Sequence, residues 1–240
     1  MSQFWNAWNK RKESLRKQTL EQHANKSMDS VDDSTVSSVL EDNIVLVEKQ
    51  FGKSDDLVVR RFRIATGEEA AVIFLDGMVD RDVISDFVIR AMTTEHSTYL
   101  SPVSNELETT NQLRQIVRNI LSGNSVLFID GSSKVYLINS RGWERRSVSE
   151  PQTESVVRGP RDGFTETISV NAALIRFRLK DPNLRVKHLI VGQRTQSDVF
   201  VMYIEGVVHP PIVEEVIRRI EDLNLDAILE SGYIEQMIQD

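Results

Sequence analysis

The chain has 240 residues, of which 40% are hydrophobic and 27% charged, and its net charge is −7. That acidity argues against nucleic acid as a main partner, because phosphate binding needs a basic face. The absence of cysteine excludes disulfides, cysteine nucleophiles and thiolate metal sites. No apolar run approaches the roughly 18 residues of a membrane helix, and residues 1–20 lack the apolar core of a secretory signal.

Residues 1–27 are basic, and Phe4, Trp8 and Leu15 share one helical face. An amphipathic anchor on an anionic bilayer and a loose tail that orders on a neighbour both fit this pattern. Ser27–Thr35 reads as a polar linker. From Val36 to Phe51 the apolar spacing is helical, with Ser34 or Thr35 as cap and Gly52 as stop. Gly52-Lys53-Ser54 imitates the end of a phosphate-binding loop, but it follows a helix and lacks the first glycine.

Leu57–Ile64 and Ala70–Leu75 read as strands. Asp76-Gly77 ends the second, and Asp80 caps a helix with Val83, Ile84, Phe87, Val88 and Ala91 inward. After a loop over Thr93–Ser104, Asn105 and Glu108 suggest a capping box for a helix that buries Leu113, Ile116, Val117, Ile120 and Leu121 and stops at Gly123. Ser125–Ile129 and Lys134–Asn139 form a hairpin about Asp130-Gly131. Later, Thr165–Leu179 reads as a helix with a stripe of Ile168, Ala172, Ile175 and Leu179, ended by Asp181-Pro182. Leu184–Val191 and Asp198–Ile204 follow as strands. Pro210-Pro211 opens a helix expected to bury Ile212, Val213, Val216, Ile217 and Ile220. Ala227–Leu229 is a short strand or turn, and a helix over Tyr233–Gln239 closes the chain.

Two stretches resemble each other. Ala71–Arg90 aligns without gaps on Phe200–Arg219, with Asp76-Gly77 on Glu205-Gly206. Each reads as strand, acid-glycine turn and capped helix, preceded by another strand. The expected fold class is therefore α/β, with two subdomains that each carry a small mixed sheet and helices.

Catalytic constellations are missing. His23, His96, His188 and His209 are scattered without ligand spacing, and no nucleophile or dinucleotide motif occurs. Asp76, Asp80 and Asp82 read as a turn acid and a helix cap rather than a metal site. No enzyme, cofactor or metal is expected.

Between the two halves, Ser149–Glu166 has no periodicity. Pro151 and Pro160 remove donors, Gly159 and Gly163 loosen the backbone, and Glu150, Glu154, Asp162 and Glu166 alternate with Arg158 and Arg161. Arg141, Arg145 and Arg146 extend the cluster. It reads as an anion site, a partner surface or an ion-pair staple; the near balance of charge favours the staple.

The string SEPQTESVVRGPRDGFTE closely resembles the hallmark segment of the GerA family, the A subunits of spore germinant receptors. FGKSDDLVVRRF, FLDGMVD and ILESGYIE look like further family features, so the resemblance runs from about Leu40 onward. It implies the soluble N-terminal region of a longer, membrane-integrated protein. The elements in chain order divide it into 1–35 (tail and linker), 36–146, 147–166 (the hallmark linker) and 167–240. The resemblance implies B and C subunits and other A subunits as partners, small-molecule germinants as triggers, and the spore inner membrane as location, with this region on the core side. Linker residues expected to interact are Glu150, Pro151, Glu154, Arg158, Gly159, Pro160, Arg161, Gly163, Phe164 and Glu166. Assembly and signal transduction are the implied role; a germinant-binding cleft between two lobes is the alternative.

Overall fold

A computed structural model describes residues 31–93, 108–142, 163–223, 225–227 and 231–239. The basic tail, the loop expected after Thr93 and most of the hallmark linker lie outside these residues.

Helix α1, Leu40–Phe51, starts four residues later than the periodicity suggests. Neither Ser34 nor Thr35 caps it. Instead the Leu40 amide donates to Asp130 Oδ1 at 3.0 Å, from the hairpin turn of a distant strand pair. Gly52 ends it at φ +57°, a left-handed conformation that glycine adopts without strain.

Strands β1, Leu57–Arg63, and β2, Glu69–Leu75, pair antiparallel. Asp80 Oδ1 accepts the Asp82 amide at 3.0 Å, as expected of a cap. The helix it opens is a π-helix over Val83–Arg90, running on as α2, Ala91–Thr93. Of the expected capping box, Asn105 lies outside the described residues, and Glu108 belongs to a short strand, β3, Glu108–Thr110, rather than to a helix. The Thr110 hydroxyl accepts the Gln112 amide instead. Helix α3, Leu113–Leu121, then buries all five expected apolar residues and stops at Gly123.

Strands β4, Ser125–Ile129, and β5, Val135–Ile138, complete a five-stranded sheet ordered β1-β2-β4-β5-β3. Every pairing in it is antiparallel, where a mixed sheet was expected. Strand β2 lies inside it. Its alternate residues serve opposite faces: Ala71, Ile73 and Leu75 pack with α1 and α3, while Ala70, Val72 and Phe74 pack beneath the π-helix. Coverage on both faces explains why AVIFL is a continuous apolar run rather than an alternating one.

Helix α4 spans Ile168–Arg178, shorter than the expected Thr165–Leu179. Strands β6, Leu184–Val191, and β7, Ser197–Ile204, form a separate antiparallel hairpin. Helices α5, Pro210–Glu221, and α6, Ser231–Met237, cover one face of it through Ile220 and Ile234 on Leu189 and Val191. Ile212 was expected inward but is 57% exposed, at the rim of a groove shared with Val216 and Ile238. The α/β class with two sheets stands as expected.

The two resembling stretches share more than spacing. In each, the amide after the second strand donates to the residue just before the first: Asp76 to the Asp56 carbonyl at 2.8 Å, and Glu205 to the Asn183 carbonyl at 2.9 Å. Gly77 and Gly206 follow at φ +76° and +83°.

Candidate functional site

Helix α4 is where the two sheets meet. Ala173 and Phe177 pack with the α1/α3 side of the larger sheet, while Ala172 faces the smaller hairpin's surroundings. Between them Arg176 is 1% exposed. A buried guanidinium has to be paired and hydrogen-bonded. Arg176 Nε donates to Asp56 Oδ2 at 2.9 Å and Nη2 to Asp56 Oδ1 at 2.9 Å, a two-pronged contact with a carboxylate that is itself buried. Nη2 also donates to Ser54 Oγ at 3.0 Å, and Nη1 to the Asp181 carbonyl at 3.3 Å.

Ser54 completes the hub. Its hydroxyl donates to Asp56 Oδ1 at 2.6 Å and accepts the Val186 amide at 2.9 Å. With Arg176 as a second donor, one hydrogen and both lone pairs are used. The backbone around it pairs with the free edge of β6: the Asp55 amide donates to the Val186 carbonyl at 2.8 Å, and the His188 amide to Asp55 Oδ2 at 2.8 Å. Lys187 Nζ reaches the same Asp55 oxygen at 3.2 Å. The loop after α1 thus serves as a third rail for the small hairpin.

Two glycines permit the close approach. A Cβ on Gly77 would sit 2.4 Å from the Ser169 carbonyl of α4, and one on Gly52 would sit 2.4 Å from Arg185 Nε. Arg185, 6% exposed, donates to Glu205 Oε2 at 2.6 Å and to the Pro182 carbonyl. The entry to α4 is clasped by Asn171: its Oδ1 accepts the Thr165 amide and its Nδ2 donates to the Thr165 carbonyl, both at 2.7 Å. Asn43 makes the same pair of bonds to Ser37 at the entry to α1, both at 2.9 Å.

Of the expected linker residues, Glu150, Pro151, Glu154, Arg158, Gly159, Pro160 and Arg161 lie outside the described residues. Gly163, Phe164 and Glu166 are described and lead into α4. Phe164 is 73% exposed and rims a groove of about 490 Å³ with Ile168, Ile175, Phe200 and Ile234. A second groove, of about 560 Å³, opens between α1, α3 and the start of β6, lined by Asp32, Lys49, Gln50, Arg114 and Asn183. No cluster of three or more metal-binding side chains occurs among the described residues. No helix among them is long and apolar enough to cross a membrane.

The pattern of the Bacillus/Clostridium GerA spore germination proteins matches residues 45–240. The chain belongs to the GerA family. Spore germination protein GerLA of Bacillus cereus is 38% identical over 216 residues, covering 84% of this chain and 44% of that protein. The membrane protein YfkQ of Bacillus subtilis (strain 168) is 34% identical over 224 residues, covering 90% and 44%. The chain therefore spans less than half the length of these relatives. The crystal structure of the N-terminal domain of the A subunit of the Bacillus megaterium spore germinant receptor GerK3 superposes with a TM-score of 0.64 at 26% identity, over 87% of this chain and 81% of that one.

The GerA-like strings converge on α4. FGKSDD supplies Ser54, Asp55 and Asp56, FLDGMVD supplies Gly77, GFTE leads into the helix, and SGYIE supplies Ser231 and Ile234 of the Phe164 groove. Sequence reasoning placed no weight on Arg176 or Asp56. The available signal was an arginine set inside the apolar run Ala172–Phe177, where a solvated face would not put it.

Proposed function

We propose that this chain is the N-terminal domain of a germinant receptor A subunit and that it takes part in receptor assembly and in passing the germination signal between subunits. Arg176 carries the reading. One buried side chain ties α4, directly after the hallmark linker, to the loop that edges the second hairpin. A displacement of the linker therefore reaches both sheets through α4. B and C subunits and further A subunits are the proposed partners, with the full-length protein integrated in the spore inner membrane and this domain on the core side. The role is non-enzymatic. Arg158 and Arg161 are proposed to staple the linker to both halves.

The test replaces the buried ion pair by an apolar one. Arg176→Met with Asp56→Leu should retain most of the melting temperature, since apolar replacements of a buried pair are often neutral or stabilising. Spores carrying the double variant in the full-length receptor should nonetheless germinate poorly. Normal germination would remove the coupling role. Arg158→Ala and Arg161→Ala are the parallel test of the staple.

The polar groove favours a second reading, germinant binding between the lobes. Lys49 and Asp32 line it and make no ion pair among the described residues. Calorimetry of the 240-residue chain against amino acids, sugars and salts decides it: saturable heat that Lys49→Ala abolishes supports binding, and no heat removes it.

A further inference from the structure

Two of the strand edges among the described residues, those of β1 and β7, are built differently. Strand β1 forms one edge of the five-stranded sheet and carries Arg60, Arg61 and Arg63. Charges of this kind guard an edge against pairing with foreign strands. Among the described residues, strand β7 pairs on one side only, with β6. Its stretch Val199–Ile204 contains no charge, proline or glycine. A two-stranded hairpin is short of partners, and the β6 edge is already taken by Ser54–Asp56.

The first half of β7, Ser197–Phe200, forms the floor of the groove that Phe164 rims. Neighbouring strand residues point to opposite faces of the hairpin. Phe200 lines the groove with Ile168, Ala172 and Ile175 of α4, while Val199 lies on the face covered by Ile234 of α6. The groove is thus a slot between two helical layers, with an unguarded strand edge at its base. Asp198 at one end is engaged by His188 Nε2 at 2.7 Å, and among the described residues no lysine or arginine lines the slot. A charged occupant would lose its hydration and find no opposite charge.

We propose that this slot accepts an extended, uncharged segment from another protein of the receptor, added as a third strand beside β7. Main-chain hydrogen bonds to β7 hold it, and alternate small apolar side chains fill the space against α4 and α6. A second copy of β7 fits less well, because its own α4 and α6 overhang its edge and would meet these walls. The slot lies on the opposite edge of the hairpin from the Arg176 hub, so the inference does not depend on the coupling role.

The test uses the 240-residue chain and two probes: a capped hexapeptide alternating threonine and valine, and the same peptide N-methylated at every second amide. Nuclear magnetic resonance titration reads the site. The unmodified peptide should shift the amides of residues 198–201, and the N-methylated one should bind at least tenfold more weakly. Phe164→Ala, at an exposed rim position, should weaken binding several-fold while leaving the melting temperature unchanged. Equal binding of both peptides would reduce the slot to an apolar patch and overturn strand addition. Absence of binding at millimolar peptide, or concentration-dependent self-association that the peptide does not compete, would also overturn it.

Discussion

The two hairpin–helix units contrast in what supports them. The first, β1, β2 and the π-helix, sits in a five-stranded sheet with apolar cover on both faces. The second, β6, β7 and α5, has two strands, and its free β6 edge is completed by Ser54–Asp56 from the first half. Equivalent turns, with Gly77 and Gly206 in matching positions, therefore stand in unlike surroundings. The lesson is that a repeated local pattern does not give equal independence: the second unit is held by the hub on α4.

The largest break should come from the hub. Arg176→Ala leaves the Asp56 carboxylate buried without its counter-charge, which costs about 3–5 kcal/mol. Arg176→Lys should recover little, since an ammonium cannot span both oxygens of Asp56 and reach Ser54 as well. Chemical denaturation measures both, and a loss under about 1 kcal/mol for Arg176→Ala would place the pair among ordinary surface salt bridges.

The matched glycines differ in what surrounds them. Alanine at either forces a left-handed backbone, costing about 1–2 kcal/mol. At Gly206 nothing lies within 4 Å of the added Cβ, whereas at Gly77 the Ser169 carbonyl is 2.4 Å away. Gly77→Ala should therefore cost about 1–3 kcal/mol more than Gly206→Ala, by forcing α4 off the sheet. Equal losses would mean that α4 shifts freely. A smaller effect is expected at the helix entries. Asn171→Ala and Asn43→Ala each remove two hydrogen bonds to backbone, about 1–2 kcal/mol per site, and Asn171→Ala alone should loosen the second unit in hydrogen exchange.

The smallest effect belongs to the exposed pairs on α5. Hydrogen bonds from Arg218 and then Arg219 hold the Glu215 carboxyl down at about 2. A folded-state value below the unfolded 4.5 means a contribution present above pH 4.5 and lost as pH falls toward 2. Because the site is solvent-exposed, Glu215→Gln should lower the melting temperature at neutral pH by less than any variant above, with the difference vanishing near pH 2.

Much of the fold was legible because it follows local rules. The periodicity of Leu113–Leu121 and the continuous run in β2 reported burial directly. The hairpins followed from glycine turns at Gly67 and Gly131, both at positive φ. What failed were features set by distant contacts. Helix α1 takes its cap from Asp130, 90 residues on, rather than from Ser34 or Thr35. Glu108 joins a strand through pairing with Leu137, which its own sequence neighbourhood does not announce. Ile212 fits the apolar spacing of α5, yet it stays more than half exposed. The hub was illegible for the same reason: Arg176 lies 120 residues from Asp56 and 122 from Ser54, and the three acquire meaning only together.

The central claim is that Arg176 holds the second unit to the first. Native-state hydrogen exchange on wild type and Arg176→Ala tests it most directly, strand by strand. Amides of β6 and β7 should lose most of their protection in the variant while those of β2 and β4 keep theirs. Equal loss in both sheets, or none in either, would contradict it.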